Sequence, residues 1–141
     1  MENTKLHHNY SLNGYASMLE DTSRVSPFSR ALAELAPEKH LLELGGGTGF
    51  VACLAARYGA RKAVSVEFNS QIELGPQVAK KNELKGVEFH RKWSFDYEPT
   101  ELADILLHDM RGNLPIFENN LSALIDARKR LLKPEGVFLP K

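Results

Sequence analysis

Gly45-Gly46-Gly47-Thr48-Gly49 joins a short apolar run, ending in Glu43-Leu44, to a stretch with helical apolar spacing. A ligand lying across the end of a strand needs close approach by the backbone. Glycines at 45, 47 and 49 permit this, because they lack a Cβ and tolerate positive φ. Their G-x-G-x-G spacing is tighter than the G-x-G-x-x-G loop that seats a pyrophosphate, and the lysine of a phosphate loop is missing. The loop therefore suits a nucleoside without phosphates. Glu67 is the second chemical group. It closes the run Ala-Val-Ser-Val, eighteen residues after Gly49, where a carboxylate can accept both hydroxyls of a ribose.

The elements that must position these groups alternate along the chain. Strands are expected at 41–44, 63–66, 87–89, 103–107 and 137–139. Helices are expected at 50–58, at 70–84 with a distortion at Gly75-Pro76, and at 118–132. In the last helix Leu121, Leu124, Ile125, Leu131 and Leu132 read as one apolar stripe. Pro134-Glu135-Gly136 reads as a turn before the fifth strand. Two short helices precede the first strand, with a break near Pro27, Ser26 as the N-cap of the second and Pro37 as its end. Strands alternating with helices predict an α/β fold: a Rossmann-like parallel sheet of about five strands, order 3-2-1-4-5, with helices on both faces. Residues 1–37 form a flexible arm and helical lid, and residues 38–141 the sheet domain. Strand five then lies on an edge, blunted slightly by Pro140, and a second copy or a partner chain is expected to cover it.

Composition narrows the function classes. The chain has 141 residues, 18 basic and 18 acidic side chains, and no net charge, so bulk positive charge cannot hold a nucleic acid. Hydrophobic content of 43% and charged content of 26% exclude a disordered chain. The single Cys53 excludes an internal disulfide framework and a multi-cysteine zinc site. His7 and His8 belong to a polar, solvated tail, and no His or acid cluster shows metal-ligand spacing, so no metal is expected. No run is long and apolar enough to span a membrane, and MENTKLHHNY has no apolar signal core, so a cytoplasmic location is expected.

Several segments together resemble a known family. LLELGGGTGF, ARKAVSVEFN, MLEDTSRVSPF and LLKPEGVFLP occur in the order found in the cofactor-binding half of class I S-adenosylmethionine-dependent methyltransferases, and more narrowly in the protein arginine methyltransferases. The resemblance runs from about Tyr15 to Pro140. It implies S-adenosyl-L-methionine as cofactor, with Gly45, Gly47 and Gly49 beneath it and Glu67 on its ribose. Glu43 stands where the family more often has Asp. Met18 is placed near the sulfur and Arg24 on the cofactor carboxylate, which a guanidinium grips bidentately. Trp93 and Ser94 fall where the adenine lies, Ser94 replacing the usual acid. The loop after strand four carries Asp109 and Glu118, nine residues apart as in the family's acceptor clamp, with Asp109 one methylene shorter than the usual Glu. Gly112 sits at the family's glycine, and Arg111 adds a positive charge. His108 is a candidate to take the proton after transfer. The family follows this half with a C-terminal β-barrel, and this sequence ends where that barrel would begin. The implied activity is N-methyl transfer to a protein arginine or to a small amine or guanidine held by Asp109 and Glu118. A small-molecule tailoring enzyme using the same cofactor and a non-catalytic cofactor-binding or scaffold domain are the other readings.

Overall fold

Five apolar segments pair in parallel, each returning to the sheet by a crossover. The computed structural model of the chain describes residues 11–110 and 119–140. Strands β1 (His40–Leu44), β2 (Lys62–Glu67), β3 (Val87–Arg91), β4 (Ala103–His108) and β5 (Leu132–Leu139) lie in the order β3-β2-β1-β4-β5. Every neighbouring pair is parallel, the topology expected from the sequence. Strand order reverses between β1 and β4, and such a switch point opens a crevice at the carboxyl ends of the strands. Helices α1 (Leu12–Glu20), α2 (Thr22–Leu35), α3 (Phe50–Arg57), α4 (Gly75–Lys81) and α5 (Asn120–Arg130) connect or flank the strands.

Side chains alternate between the two faces of a strand, and the core divides accordingly. On one face Leu41, Ala63, Ile105 and Leu107 pack against Leu32 and Ala36 at the end of α2 and Ala52 and Ala55 of α3. On the other, Leu42, Leu44, Val64, Val66 and Leu106 meet Ala127 of α5, Leu131 and Tyr97. β1 is buried along its whole length and β4 nearly so, as a central strand covered on both faces must be.

Four local features differ from the sequence expectation or refine it. The break between the first helices lies at Asp21, not at Pro27. Asp21 has extended backbone, and its carboxylate accepts from the N–H groups of Ser23 (3.0 Å) and Arg24 (3.3 Å), a stronger N-cap than Ser26 offers before a proline. Pro27 is carried inside α2 as its sixth residue, where it removes one intrahelical bond. The helix expected over 70–84 is a 3₁₀ turn, Ser70–Leu74, followed by α4, and the two meet at Gly75-Pro76 where distortion was expected. The single stripe expected for α5 forms only in part: Leu124 packs on the core and Leu131 and Leu132 are buried in it. Ala123 and Ala127 face the core, while Leu121 and Ile125 are exposed, because alanines let the helix backbone approach the sheet where leucines would hold it away. Finally, β5 begins at Leu132. It pairs Leu132 with Ala103 and Val137 with Ile105, so the expected Pro134-Glu135-Gly136 turn is absorbed as a wide bulge within the strand. Arg128 of α5 fastens that bulge by donating to the carbonyls of Gly136 (2.9 Å) and Pro134 (3.3 Å).

Candidate functional site

Strand alternation brings three acids to one place. Glu43, Glu67 and Asp109 continue the series that fills the α2–α3 face, Glu43 opposite Ser65 on β2 and opposite Leu107 on β4. All three stand at the carboxyl ends of their strands, at the crevice.

Glu67 and the glycine loop form one unit. One carboxylate oxygen of Glu67 accepts from the Gly47 N–H at 2.9 Å and the other from the Asn69 N–H at 2.8 Å. The side chain is buried, yet each oxygen keeps a lone pair for a further donor. Gly47 has φ +56°, and a Cβ there would lie 2.4 Å from the Tyr15 ring of α1. Glycine at this position thus serves both the left-handed turn and the approach of α1 to the loop.

Glu43 lies beneath the loop and is occupied by scaffold groups. The Ser65 hydroxyl (2.8 Å) and the Ala52 N–H (3.2 Å) donate to the same oxygen. Ala52 is in the first turn of α3, whose N-cap Gly49 has no side chain to offer, so Glu43 supplies the missing acceptor. Gly46 closes over this arrangement: a Cβ on it would fall 2.0 Å from the Ser65 hydroxyl and 2.8 Å from the Glu43 carboxylate. Burial pushes the Glu43 carboxyl up to about 8, against the Ser65 and Ala52 bonds, and the Glu67 and Asp109 carboxylates add to the rise. A single oxygen accepting both bonds suits a neutral acid. Because the folded protein then holds a proton that the unfolded chain releases near pH 4.5, the stabilisation is complete below that pH and is lost as pH rises through about 8. Glu43→Gln keeps shape and neutrality. It should flatten the fall in Tm between about pH 5 and pH 9, as thermal unfolding across that range would show. An unchanged slope would place the titration elsewhere.

Arg24, near the start of α2, pairs with Asp109 immediately after β4. Both side chains are partly exposed, and such pairs contribute about 0–1 kcal/mol. The contact is therefore exchangeable. Met18 is half-buried on α1, three residues after Tyr15. Trp93 stacks on Phe68, ring centroids 4.2 Å apart, and with Arg91, Lys92 and Asp96 the pair lines a recess of about 400 Å³ beside Glu67. Ser94 opens a 3₁₀ turn, Ser94–Asp96, after Trp93. His108 takes the opposite course to its neighbour Asp109. Its ring is buried on the α5 face and meets Phe138 edge to face at 6.0 Å. Glu118, Arg111 and Gly112 lie outside the described residues.

Sequence reasoning missed three participants. Phe68 was detectable as an aromatic directly after Glu67. Met110, whose Cγ would lie 2.4 Å from a Cβ on Gly45, and Asn120, whose side-chain amide donates to the Met110 carbonyl, carry no motif. Cys53 is buried on α3, and that burial pushes its thiol up to about 11, away from the thiolate form. Among the described residues no group of three or more His, Cys, Asp or Glu could hold a metal ion, and no helix is long and apolar enough to cross a membrane.

Comparison with known proteins places this geometry. The structure superposes on Arabidopsis thaliana protein arginine methyltransferase 10 with a TM-score of 0.84 and 28% identity, over 92% of this chain and 38% of the other. The chain resembles the cofactor-binding half of the protein arginine methyltransferases, within the class I methyltransferase fold. A second arginine methyltransferase structure, the Trypanosoma brucei PRMT1 enzyme–prozyme heterotetramer with AdoHcy, matches at a TM-score of 0.80 and 26% identity, over 88% of this chain and 40% of that one. Among curated sequences, a probable protein arginine N-methyltransferase 6 from Arabidopsis thaliana is 29% identical over 139 residues, 94% of this chain and 32% of the relative. The chain spans between a quarter and two-fifths of the arginine methyltransferases it matches in sequence. No family model matches it.

Proposed function

We propose that the chain binds S-adenosyl-L-methionine across the ends of β1 and β2 and serves an N-methyltransferase of the arginine methyltransferase type. The observation that carries this reading is the bond from Gly47 N–H to Glu67, which welds the glycine loop and the ribose acid into one nucleoside seat. The names of the similar proteins support it, and the complex of one of them with AdoHcy supports the cofactor.

Each residue has a task in this reading. Glu67 accepts the ribose hydroxyls with its remaining lone pairs. Gly45, Gly47 and Gly49 let the ligand lie on the backbone, and Glu43 holds the loop from below. Trp93 and Ser94, with Phe68, form the side against which the adenine rests. Arg24 takes the carboxylate of the amino-acid end, and Met18 approaches from α1. The bound cofactor supplies a sulfonium methyl open to in-line displacement. Asp109 and Glu118 hold a guanidinium, or an amine that has given up its proton, and aim its nitrogen at that methyl. As the N–C bond forms the S–C bond breaks, S-adenosylhomocysteine leaves, and the proton lost from the acceptor nitrogen passes to solvent. The burial of His108 against Phe138 supports a packing role for it in preference to proton transfer. Residues 1–37 act as arm and lid over a domain of residues 38–141. The lid itself reduces to α1, which buries no residue, because the end of α2 is already part of the core. A further chain or domain supplies the other wall of the acceptor site and covers the edge of β5. We place the protein in the cytoplasm.

One observation favours a second reading, a non-catalytic cofactor-binding domain: Asp109 already holds a guanidinium, that of Arg24. Calorimetric titration with S-adenosylmethionine and S-adenosylhomocysteine tests what both readings share. Micromolar binding of both ligands is expected, and binding of neither would overturn the cofactor assignment.

A further inference from the structure

Helix α5 is tied to both walls of the crevice. At its first residue the Asn120 amide donates to the carbonyl of Met110, next to Asp109. At its last, about 15 Å away along the helix, the Arg130 guanidinium donates to the carbonyl of Ser94 at 2.9 Å and to that of Tyr97. Asp126, one turn earlier, orients the guanidinium by accepting from its Nε at 3.0 Å and its Nη2 at 2.7 Å. The two carbonyls bracket the 3₁₀ turn that follows Trp93. That turn's own bonds are internal, Asp96 N–H to Trp93 (3.0 Å) and Tyr97 N–H to Ser94 (3.3 Å), and they fix its shape but not its place. Its place is set by the stack of Trp93 on Phe68 at its start, by the buried Tyr97 ring below and by Arg130 at its side.

We propose that Arg130 is a positioning residue for nucleobase recognition: from α5 it holds the segment 93–97 where the adenine of the cofactor is to rest, without touching the ligand itself. The inference rests on the cofactor reading above. It follows from the chemistry of the contact. A planar fork with five donors can hold two main-chain carbonyls and a carboxylate at once, which an ammonium on a flexible stem cannot do with the same geometry. An anchor made to carbonyls also works whatever side chains the segment carries, which suits a site where Ser94 brings no charge of its own.

The chain's single tryptophan is Trp93, so its fluorescence reports on this segment alone. Arg130→Ala, Arg130→Lys and Asp126→Asn are to be compared with the unaltered chain. The readouts are emission maximum and acrylamide quenching without ligand, and the Kd values of S-adenosylhomocysteine and S-inosylhomocysteine. Hypoxanthine exchanges the donor and acceptor of the adenine edge, so a correctly placed wall discriminates between the two. Arg130→Ala should shift Trp93 emission to the red, make it easier to quench and cut the adenine preference by about tenfold, the upper end of what one neutral hydrogen bond contributes. Arg130→Lys should recover only part of this. Equal weakening of both ligands with unchanged Trp93 emission would mean a merely structural arginine and overturn the proposal. Should Arg130→Ala not fold, Asp126→Asn keeps the guanidinium but loosens it and must show the same changes in smaller measure; unaltered emission and preference there also overturn the proposal. If the unaltered chain bound neither nucleoside, the cofactor reading would fall, and the ligand-free Trp93 emission would still decide whether Arg130 anchors the segment.

Discussion

Glu67→Ala is expected to weaken S-adenosylhomocysteine binding by about a hundredfold or more, the largest effect on affinity of any single substitution in the chain. Two losses combine. The ribose hydroxyls lose a charged acceptor, and hydrogen bonds to charged groups contribute roughly 1.5–3 kcal/mol each. The Gly47 N–H also loses its partner, so the loop that the carboxylate fixes from 20 residues away is released. Glu67→Gln separates the two terms. An amide oxygen can still accept from one N–H, but the amide nitrogen must face a donor, so the loop is partly held while the second hydroxyl is refused. An intermediate loss for Glu67→Gln, measured by calorimetry, fits a carboxylate that serves loop and ligand together. Equal, small losses in both variants would remove Glu67 from the site.

Asp109→Ala should abolish methyl transfer, by about a thousandfold or more in kcat/KM, while cofactor affinity is kept or rises. The asymmetry comes from the ion pair with Arg24. On the proposed reading, Asp109 competes with the cofactor carboxylate for that guanidinium, and its removal leaves Arg24 free to take the carboxylate. The same pair gives cofactor binding a second consequence: drawing Arg24 away from Asp109 uncovers the acid for a cationic acceptor. Radiolabelled methyl transfer to arginine-rich peptides and to small amines reads the first effect, and titration with S-adenosylhomocysteine reads the second. Turnover surviving in Asp109→Ala would end the acceptor-clamp model. Cofactor affinity falling as far as it does in Arg24→Ala would show that the pair supports the cofactor site and does not compete with it.

How much of this was legible in the residues varies with the physics of each element. The strand order and the glycine loop were, because continuous apolar runs such as Ile105-Leu106-Leu107 and glycines that must take positive φ leave few alternatives. The partition of acids between faces was also within reach: period-two alternation along β4 puts Asp109 with Ile105 and Leu107 and sends His108 to the other side. That alternation argues against pairing His108 with Asp109 in one reaction. The α5 stripe was half legible: Leu124 and Leu131 reach the core as counted, but Ala123 and Ala127 take the places given to Leu121 and Ile125. The pairing of Arg24 with Asp109, 85 positions apart, follows from how α2 lies against the sheet and has no local signature. Arg130 left half a trace: its pair with Asp126 follows helical i,i+4 spacing, whereas its other partners are main-chain carbonyls, which every sequence has.

The two halves of the nucleoside crevice differ in how much order they already possess. Glu67 and its loop are fixed by two N–H groups without any ligand, whereas α1 buries nothing and touches the loop through Tyr15 over Gly47. On the proposed reading, a ligand therefore meets a finished surface at its ribose and an unfinished one at its sulfur. Capture is governed by the finished side, with little ordering still to be done. Escape is governed by the other: how long the ligand stays depends on how well α1 settles over it. Changes along α1 should accordingly be felt as residence time and leave the rate of arrival alone.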